Sequence, residues 1–176
     1  VLIVVKLKLS LEDKRTLGDS FIELVEKFPA NKIELSIVTL DALSDFRYPT
    51  PYELHFSNEN LEDFTNVDFD LMKSRDDKDL AAHFVIIKNR GICLYGEPVT
   101  KVFPDVADED YLKSIAQDFD WSYNNVINGQ EDGTCSVPTY AVLNTCRVLA
   151  FIKYGLVASK AEGGAWAIEH LPKEYA

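Results

Sequence analysis

The rhythm of apolar and polar positions changes several times along the chain, and each change marks an element. Val1 to Leu9 is strongly apolar, with Lys6 and Lys8 on one side near its end, and predicts a strand. It starts inside that strand, with no initiator Met, leading loop or cap, so further residues are expected upstream of Val1. Ser10 to Phe28 carries Leu17, Phe21, Leu24, Val25 and Phe28 at helical spacing. Ser10 with Asp13 forms a capping box at its start, and Pro29 ends it. Lys32 to Leu40 reads as a second strand, in which Ile33, Leu35 and Ile37 share one face. Asp45 to Pro51 is a loop, Tyr52 to Phe56 a short ambiguous element, and Asn58 to Arg75 charged and irregular. Asp79 to Arg90 predicts a helix with Leu80, Phe84 and Ile87 inward and Gly91 at its end. Ile92 to Tyr95 reads as a short strand, and Gly96 to Asp105, with Pro98 and Pro104, as a boundary.

Beyond that boundary the periodicity is helical throughout. Asp108 to Asn128 is one helix, Asn128 to Ser136 a polar loop, and Pro138 the first turn of a helix running to Tyr154 before Gly155. Ser159 opens a last helix that Pro172 ends. The strand–helix–strand order at the front suits an α/β unit. The fold class is therefore α+β: an α/β domain over residues 1–104, then an all-helical domain over residues 105–176.

Within the second strand, Glu34 and Ser36 point away from the apolar face. A carboxylate in mid-strand is unusual, because Glu is depleted in strands and burying its charge alone is costly. Two readings stand. The face carries a metal ion or a catalytic proton transfer, or the strand is an edge with a solvated polar side.

Composition narrows the function classes. The 176 residues carry 18 basic and 29 acidic side chains, a formal charge of −11. That balance disfavours nucleic acid and anionic membranes and suits cationic small ligands. No apolar run approaches a membrane span, and Val1 to Val5 is too short for a signal-peptide core. Cys93, Cys135 and Cys146 form no CxxC pair, which points to a cytoplasmic protein without a disulfide framework. His55, His83 and His170 make no zinc motif, and no Walker loop or GxGxxG is present.

A set of segments in order then carries a resemblance. Ile33-Glu34-Leu35-Ser36-Ile37-Val38, Phe46-Arg47-Tyr48-Pro49 and Glu53-Leu54-His55-Phe56 come first. Asp77-Lys78-Asp79-Leu80-Ala81 and Leu94-Tyr95-Gly96-Glu97 follow. Leu143 to Arg147, Ser159-Lys160, Trp166-Ala167 and Leu171-Pro172-Lys173-Glu174-Tyr175 complete the order. Together they resemble the aminoglycoside adenylyltransferases of the streptomycin/spectinomycin type, over almost the whole chain. The resemblance implies a nucleotidyltransferase-like (polymerase-beta-like) domain followed by a helical one. It also implies a reaction in which ATP adenylylates a hydroxyl of a cationic aminoglycoside or aminocyclitol and pyrophosphate leaves, in a monomer or homodimer.

In that family a G-S and a D-x-D precede the first strand; the aspartates bind Mg²⁺, and a third acid on a neighbouring strand is the general base. Glu34 matches the third acid and is expected to serve as base and as one metal ligand. The G-S and D-x-D do not occur in this sequence, and the other metal ligands are expected upstream of Val1.

The resemblance assigns further residues. Lys160 matches a lysine that contacts the ATP phosphates, at a helix start where backbone N–H groups favour anions. Arg147, beside an apolar face, needs a partner; a triphosphate or a structural carboxylate such as Asp79 would serve. Trp121, Glu131 and Asp132 fall where relatives hold the drug. Glu59 stands where the family has a drug-contacting tryptophan, which departs from the streptomycin pattern. Trp166 reads as core, and Asp77 with Asp79 as helix-capping acids. Two rival readings keep the fold: transfer to another hydroxyl, or a binding module without catalysis.

Overall fold

The computed structural model describes residues 1–28, 32–132 and 138–175. It is α+β, and its packing divides into two compact units, Val1–Asp77 and Lys78–Ala176.

The first unit runs β1 (Leu2–Val5), α1 (Leu11–Lys27), β2 (Glu34–Thr39), α2 (Leu40–Ser44), β3 (Thr50–Tyr52), β4 (Leu54–Ser57), α3 (Leu61–Thr65) and β5 (Arg75–Asp77). β1 and β2 are parallel, as the intervening helix requires, with Leu2 opposite Ser36 and Val5 opposite Thr39. β4 pairs antiparallel on the other side of β2, so β2 is the central strand. β3 and β5 form a separate antiparallel pair. Leu35, Ile37, Leu54 and Phe56 make the core with Phe64 and Leu71, against Leu17, Phe21 and Val25 of α1. Phe56 lies between Phe21 and Phe64 at ring distances of 5.1 Å each.

The expected capping box is present: the Asp13 amide donates to Ser10 Oγ (3.1 Å) and the Ser10 amide to Asp13 Oδ2 (2.9 Å). The Ser10 hydroxyl and amide, both donating to Asp13, hold its carboxyl below the usual carboxylate range. The helix is anchored further by Lys14, buried, whose Nζ donates to the Leu71 carbonyl (3.1 Å) and lies 3.5 Å from Glu53 Oε2. Glu53 also accepts from the Leu9 amide (3.1 Å), so this acid of the third matched segment fastens the entry of β4 to the entry of α1.

The second unit contains α4 (Leu80–Arg90), α5 (Val99–Val102), α6 (Asp108–Asp132), α7 (Pro138–Tyr154), α8 (Lys160–His170) and a 3-10 turn at Lys173–Tyr175. α6 packs on α4 and α7, and α7 on α8. Ala82, Tyr111, Ile115 and Phe151 form one core cluster; Cys146, Ala150, Trp166 and Ala167 form another, which bears out Trp166 as core. Gly155, at φ +64°, ends α7 in the left-handed conformation that lacks a Cβ penalty.

Several expectations differ from the structure. The units divide after Asp77, whereas the prolines pointed to residues 104 and 105. The cause is α4: the Ala82 amide donates to Ser114 Oγ on α6 (3.2 Å), and Phe84 meets buried Phe103 at 5.6 Å. Ile92 to Tyr95 forms no strand; Ile92, Leu94 and Tyr95 are 84%, 85% and 99% exposed, and an apolar run without a pairing edge does not become one. α6 continues through Asp132, where a loop was expected from Asn128. Thr39 caps α2, so helix begins where the strand was expected to end. Asp79 is the N-cap of α4 without a side-chain cap bond; its carboxylate instead pairs with His83 Nε2 (2.9 Å).

α8 carries its own capping box, Ser159 with Glu162. Glu162 is also gripped by Arg90 Nη1 at 2.8 and 2.7 Å, and these bonds bring its carboxyl down to about 2. Because the folded value lies below the ordinary 4.5, this link stabilises the fold above about 4.5 and is lost as pH falls through about 2. Thermal melts across that window are expected to show the loss, and Glu162→Gln to flatten it.

Candidate functional site

Each unit holds part of the constellation expected from sequence. In the first, Glu34 is the first residue of β2, not a mid-strand residue, and it is exposed. The reason is local: the preceding Ile33 amide donates to Asn58 Oδ1 (2.6 Å), outside the strand ladder. The Glu34 backbone is held on both sides, its carbonyl accepting from the Val1 nitrogen (2.7 Å) and its residue opposite Ser57 on β4. The face it shares is otherwise closed. Ser36 and Val38 are buried, and Ser36 Oγ lies 3.0 Å from His55 Nδ1. Glu59 is exposed in the turn after β4, its amide donating to Ser57 Oγ (3.3 Å).

A magnesium ion does not fit the residues present. Mg²⁺ needs several oxygen ligands, and a lone strand carboxylate supplies too few. Among the described residues no group of three His, Cys, Asp or Glu side chains is placed to hold a metal.

The second unit brings Trp121, Arg147 and Lys160 into one connected cluster. α6 supplies Asp118 and Trp121; α7 supplies Tyr140, Asn144 and Arg147; Lys160 is the first residue of α8. The Tyr140 hydroxyl lies 2.9 and 3.0 Å from the two Asp118 oxygens, and Asn144 Nδ2 donates to Asp118 Oδ2 (2.7 Å). Asn144 Oδ1 accepts from Arg147 Nη1 (3.2 Å), and Arg147 Nε donates to the Ala158 carbonyl (2.9 Å). Lys160 Nζ sits over the Tyr140 ring, 4.3 Å from its centroid, and Trp121 meets that ring edge-on at 6.1 Å.

Electrostatics follow the contacts. Burial pushes the Tyr140 phenol up; Asn144 works the other way, and Asp118, which accepts a hydrogen bond from the hydroxyl, adds to the rise. Burial also raises Tyr111, while the nearby Arg147 guanidinium, which hydrogen-bonds it, works the other way. Among the described residues Arg147 donates to two neutral oxygens, those of Asn144 and Ala158, and the Asp79 carboxylate lies 2.9 Å from His83 Nε2. A guanidinium and an ammonium so placed can donate to an anion's oxygens.

The close approach of α8 to α7 depends on Gly163, where a Cβ would meet Arg147 Cγ at 2.8 Å and Arg147 N at 3.1 Å. Gly163→Ala is expected to destabilise the protein by about 1–3 kcal/mol through overpacking, read by denaturant unfolding. The side chains of Glu131 and Asp132, at the end of α6, lie outside the described residues. Sequence reading missed Asp118, Tyr140 and Asn144 as site residues. The available signal was the spacing of Tyr140, Asn144 and Arg147, a polar stripe at i, i+4 and i+7 along an otherwise apolar helix.

Comparison with known proteins bears out the resemblance. Residues 101–176 match the family described as aminoglycoside adenylyltransferase, C-terminal domain. The chain is 25% identical over 181 residues to an aminoglycoside (3'') (9) adenylyltransferase of Rhizobium radiobacter, covering 99% of this chain and 64% of that one. It is 24% identical over 180 residues to that of Klebsiella pneumoniae, covering 99% and 65%. The chain therefore spans just under two thirds of the length of these relatives. In fold it is similar to the crystal structure of spectinomycin adenyltransferase AAD(9) from Enterococcus faecialis, solved with ATP and spectinomycin. There the TM-score is 0.73 at 21% identity, over 99% of this chain and 68% of the other. No helix among the described residues is long and apolar enough to cross a membrane.

Proposed function

We propose that this chain, whose residues 101–176 match the C-terminal domain of the aminoglycoside adenylyltransferases, belongs to an enzyme that adenylylates a hydroxyl of an aminoglycoside or aminocyclitol. The first unit is then the nucleotidyltransferase-like part. The observation that carries the reading is the joining of Arg147, Lys160 and Trp121 around Tyr140 and Asp118, in a chain aligned over 99% of its length with such enzymes.

The chemistry assigns each residue a task. Glu34 takes the proton from the substrate hydroxyl as its oxygen attacks the α-phosphorus of ATP. The bond from that phosphorus to the bridging oxygen breaks, AMP stays on the hydroxyl, and pyrophosphate leaves. Lys160 and Arg147 hold the β- and γ-phosphates, where negative charge builds as the leaving group departs. Trp121 in the helical unit and, separately, Glu59 in the first unit are candidate drug contacts, each within its own unit, and the net charge of −11 favours a cationic substrate. Glu34 would supply one oxygen to a magnesium ion that would offset phosphate charge; the other ligands are proposed to lie upstream of Val1, since the parallel register of β1 would carry preceding residues alongside Glu34.

Pyrophosphate release by a form extended upstream of Val1, screened across aminoglycosides and other hydroxyl compounds, tests this reading. Release with an aminoglycoside supports it. Release only with another hydroxyl compound moves the substrate class, and a folded protein that binds ATP without release rejects catalysis.

A further inference from the structure

We propose that Asp118 is a positioning residue that sets both phosphate-binding cations, Lys160 through Tyr140 and Arg147 through Asn144. This rests on the phosphate-binding reading of those two cations and adds to it a third helix and a carboxylate that touches neither of them.

The geometry runs outward from one side chain. Asp118, partly buried on α6, accepts three close contacts: the Tyr140 hydroxyl at 2.9 and 3.0 Å and Asn144 Nδ2 at 2.7 Å. An ionised carboxylate is acceptor-only, so it can receive both donors at once and compete with neither. Its first effect is on Asn144, which is 2% exposed. With the amide nitrogen committed to Asp118, the amide oxygen is left facing Arg147 Nη1 at 3.2 Å. A flipped amide would present N–H groups to the guanidinium, donor against donor. Its second effect is on Tyr140. Holding the hydroxyl fixes the ring, and the face of that ring carries the Lys160 ammonium at 4.3 Å, with Trp121 edge-on at 6.1 Å. Arg147 and Lys160 lie on different helices, α7 and α8, so a carboxylate reaching both through a tyrosine and an amide ties their placement together.

The chemistry also says what Asn would do at this position. Asp118→Asn keeps the shape and one acceptor, but its NH₂ must face either the Tyr140 hydroxyl or the Asn144 amide nitrogen. Facing Asn144 it would set donor against donor, so it turns to Tyr140, whose hydroxyl can accept from it: the Asn144 relay is kept and the Tyr140 contact is reversed and weakened while the packing stays.

The test is calorimetric titration of the 176-residue chain with inorganic tripolyphosphate and with a non-hydrolysable ATP analogue. The variants are Asp118→Ala, Asp118→Asn, Lys160→Ala and the doubles Asp118→Ala/Lys160→Ala and Asp118→Asn/Lys160→Ala. Asp118→Ala is expected to weaken both ligands about tenfold, as for a lost charge-assisted contact, and Asp118→Asn by less. In the Lys160→Ala background the effect of either change should shrink by at least half, since one of its two targets is gone. If Asp118→Ala unfolds the helical unit, Asp118→Asn and its double decide alone. Unchanged affinity in the Asp118 variants, with Lys160→Ala weakened, overturns the positioning role and leaves the phosphate reading standing. Full additivity in the doubles overturns it too, because Asp118 would then act independently of Lys160. Unchanged affinity in Lys160→Ala as well removes the phosphate reading and the proposal with it.

Discussion

Glu34→Gln is expected to lower kcat for adenylyl transfer by roughly 10²–10⁴, the range for loss of a general base, while ATP binding stays close to wild type. Gln keeps the size of Glu and can still accept a hydrogen bond from a hydroxyl, but it cannot take the proton. The position makes the change clean. Glu34 is exposed at the start of β2, and its backbone is held by pairing with Ser57 and by the Val1 nitrogen at its carbonyl, so the substitution disturbs no core contact. A base on a strand end is also held more rigidly than one on a loop. The measurement is steady-state kinetics on a form extended upstream of Val1, with ATP affinity measured in parallel. Near-normal turnover would reassign the proton acceptor.

Lys160→Ala is expected to weaken nucleotide binding by about 1–3 kcal/mol, the scale of a charge-assisted hydrogen bond. The ammonium sits 4.3 Å from the Tyr140 ring centroid at the first position of α8, so a phosphate there would meet both the side chain and the helix start. The capping box of Ser159 with Glu162 does not involve the lysine side chain, and α8 is expected to survive the change. Calorimetry with a non-hydrolysable ATP analogue reads the effect. Unchanged affinity would return Lys160 to a purely aromatic contact. Arg147→Ala is a poorer probe, because Arg147 also ties α7 to the Ala158 carbonyl and touches Tyr111.

How much of this was legible depends on the range of the interaction. The Ser10–Asp13 box, the alternation Leu35–Ile37, Pro138 at the start of α7 and Gly155 beyond its end are local rules, and they place α1, β2 and α7 close to where they lie. The run Ile92 to Tyr95 satisfies the same local rules for a strand and fails, because a strand also needs a pairing edge that no local pattern supplies. The division after Asp77 escaped for a similar reason: it follows from α4 packing on α6, a contact some 30 residues apart, shown by the bond from the Ala82 amide to Ser114. Of the site, Lys160 and Arg147 could be named from the order of matched segments, and Trp121 from the region in which relatives hold the drug. Their joining through Asp118 could not, since Asp118 lies 22 and 26 residues from Tyr140 and Asn144. Glu34 was legible as a carboxylate in a strand, yet its place at the strand's first residue was set by Asn58, which captures the Ile33 amide.

The central claim is adenylyl transfer to an aminoglycoside or aminocyclitol hydroxyl, and transfer of radiolabelled AMP tests it most directly. Streptomycin and spectinomycin are offered with labelled ATP and magnesium to the 176-residue chain and to a form extended upstream of Val1. A labelled drug is expected with the extended form and none with the shorter chain, because among its described residues no group of three His, Cys, Asp or Glu side chains is placed to hold the metal. Label on neither drug from a folded, ATP-binding extended protein would contradict the account. Label transferred by the shorter chain would contradict the placement of the metal ligands.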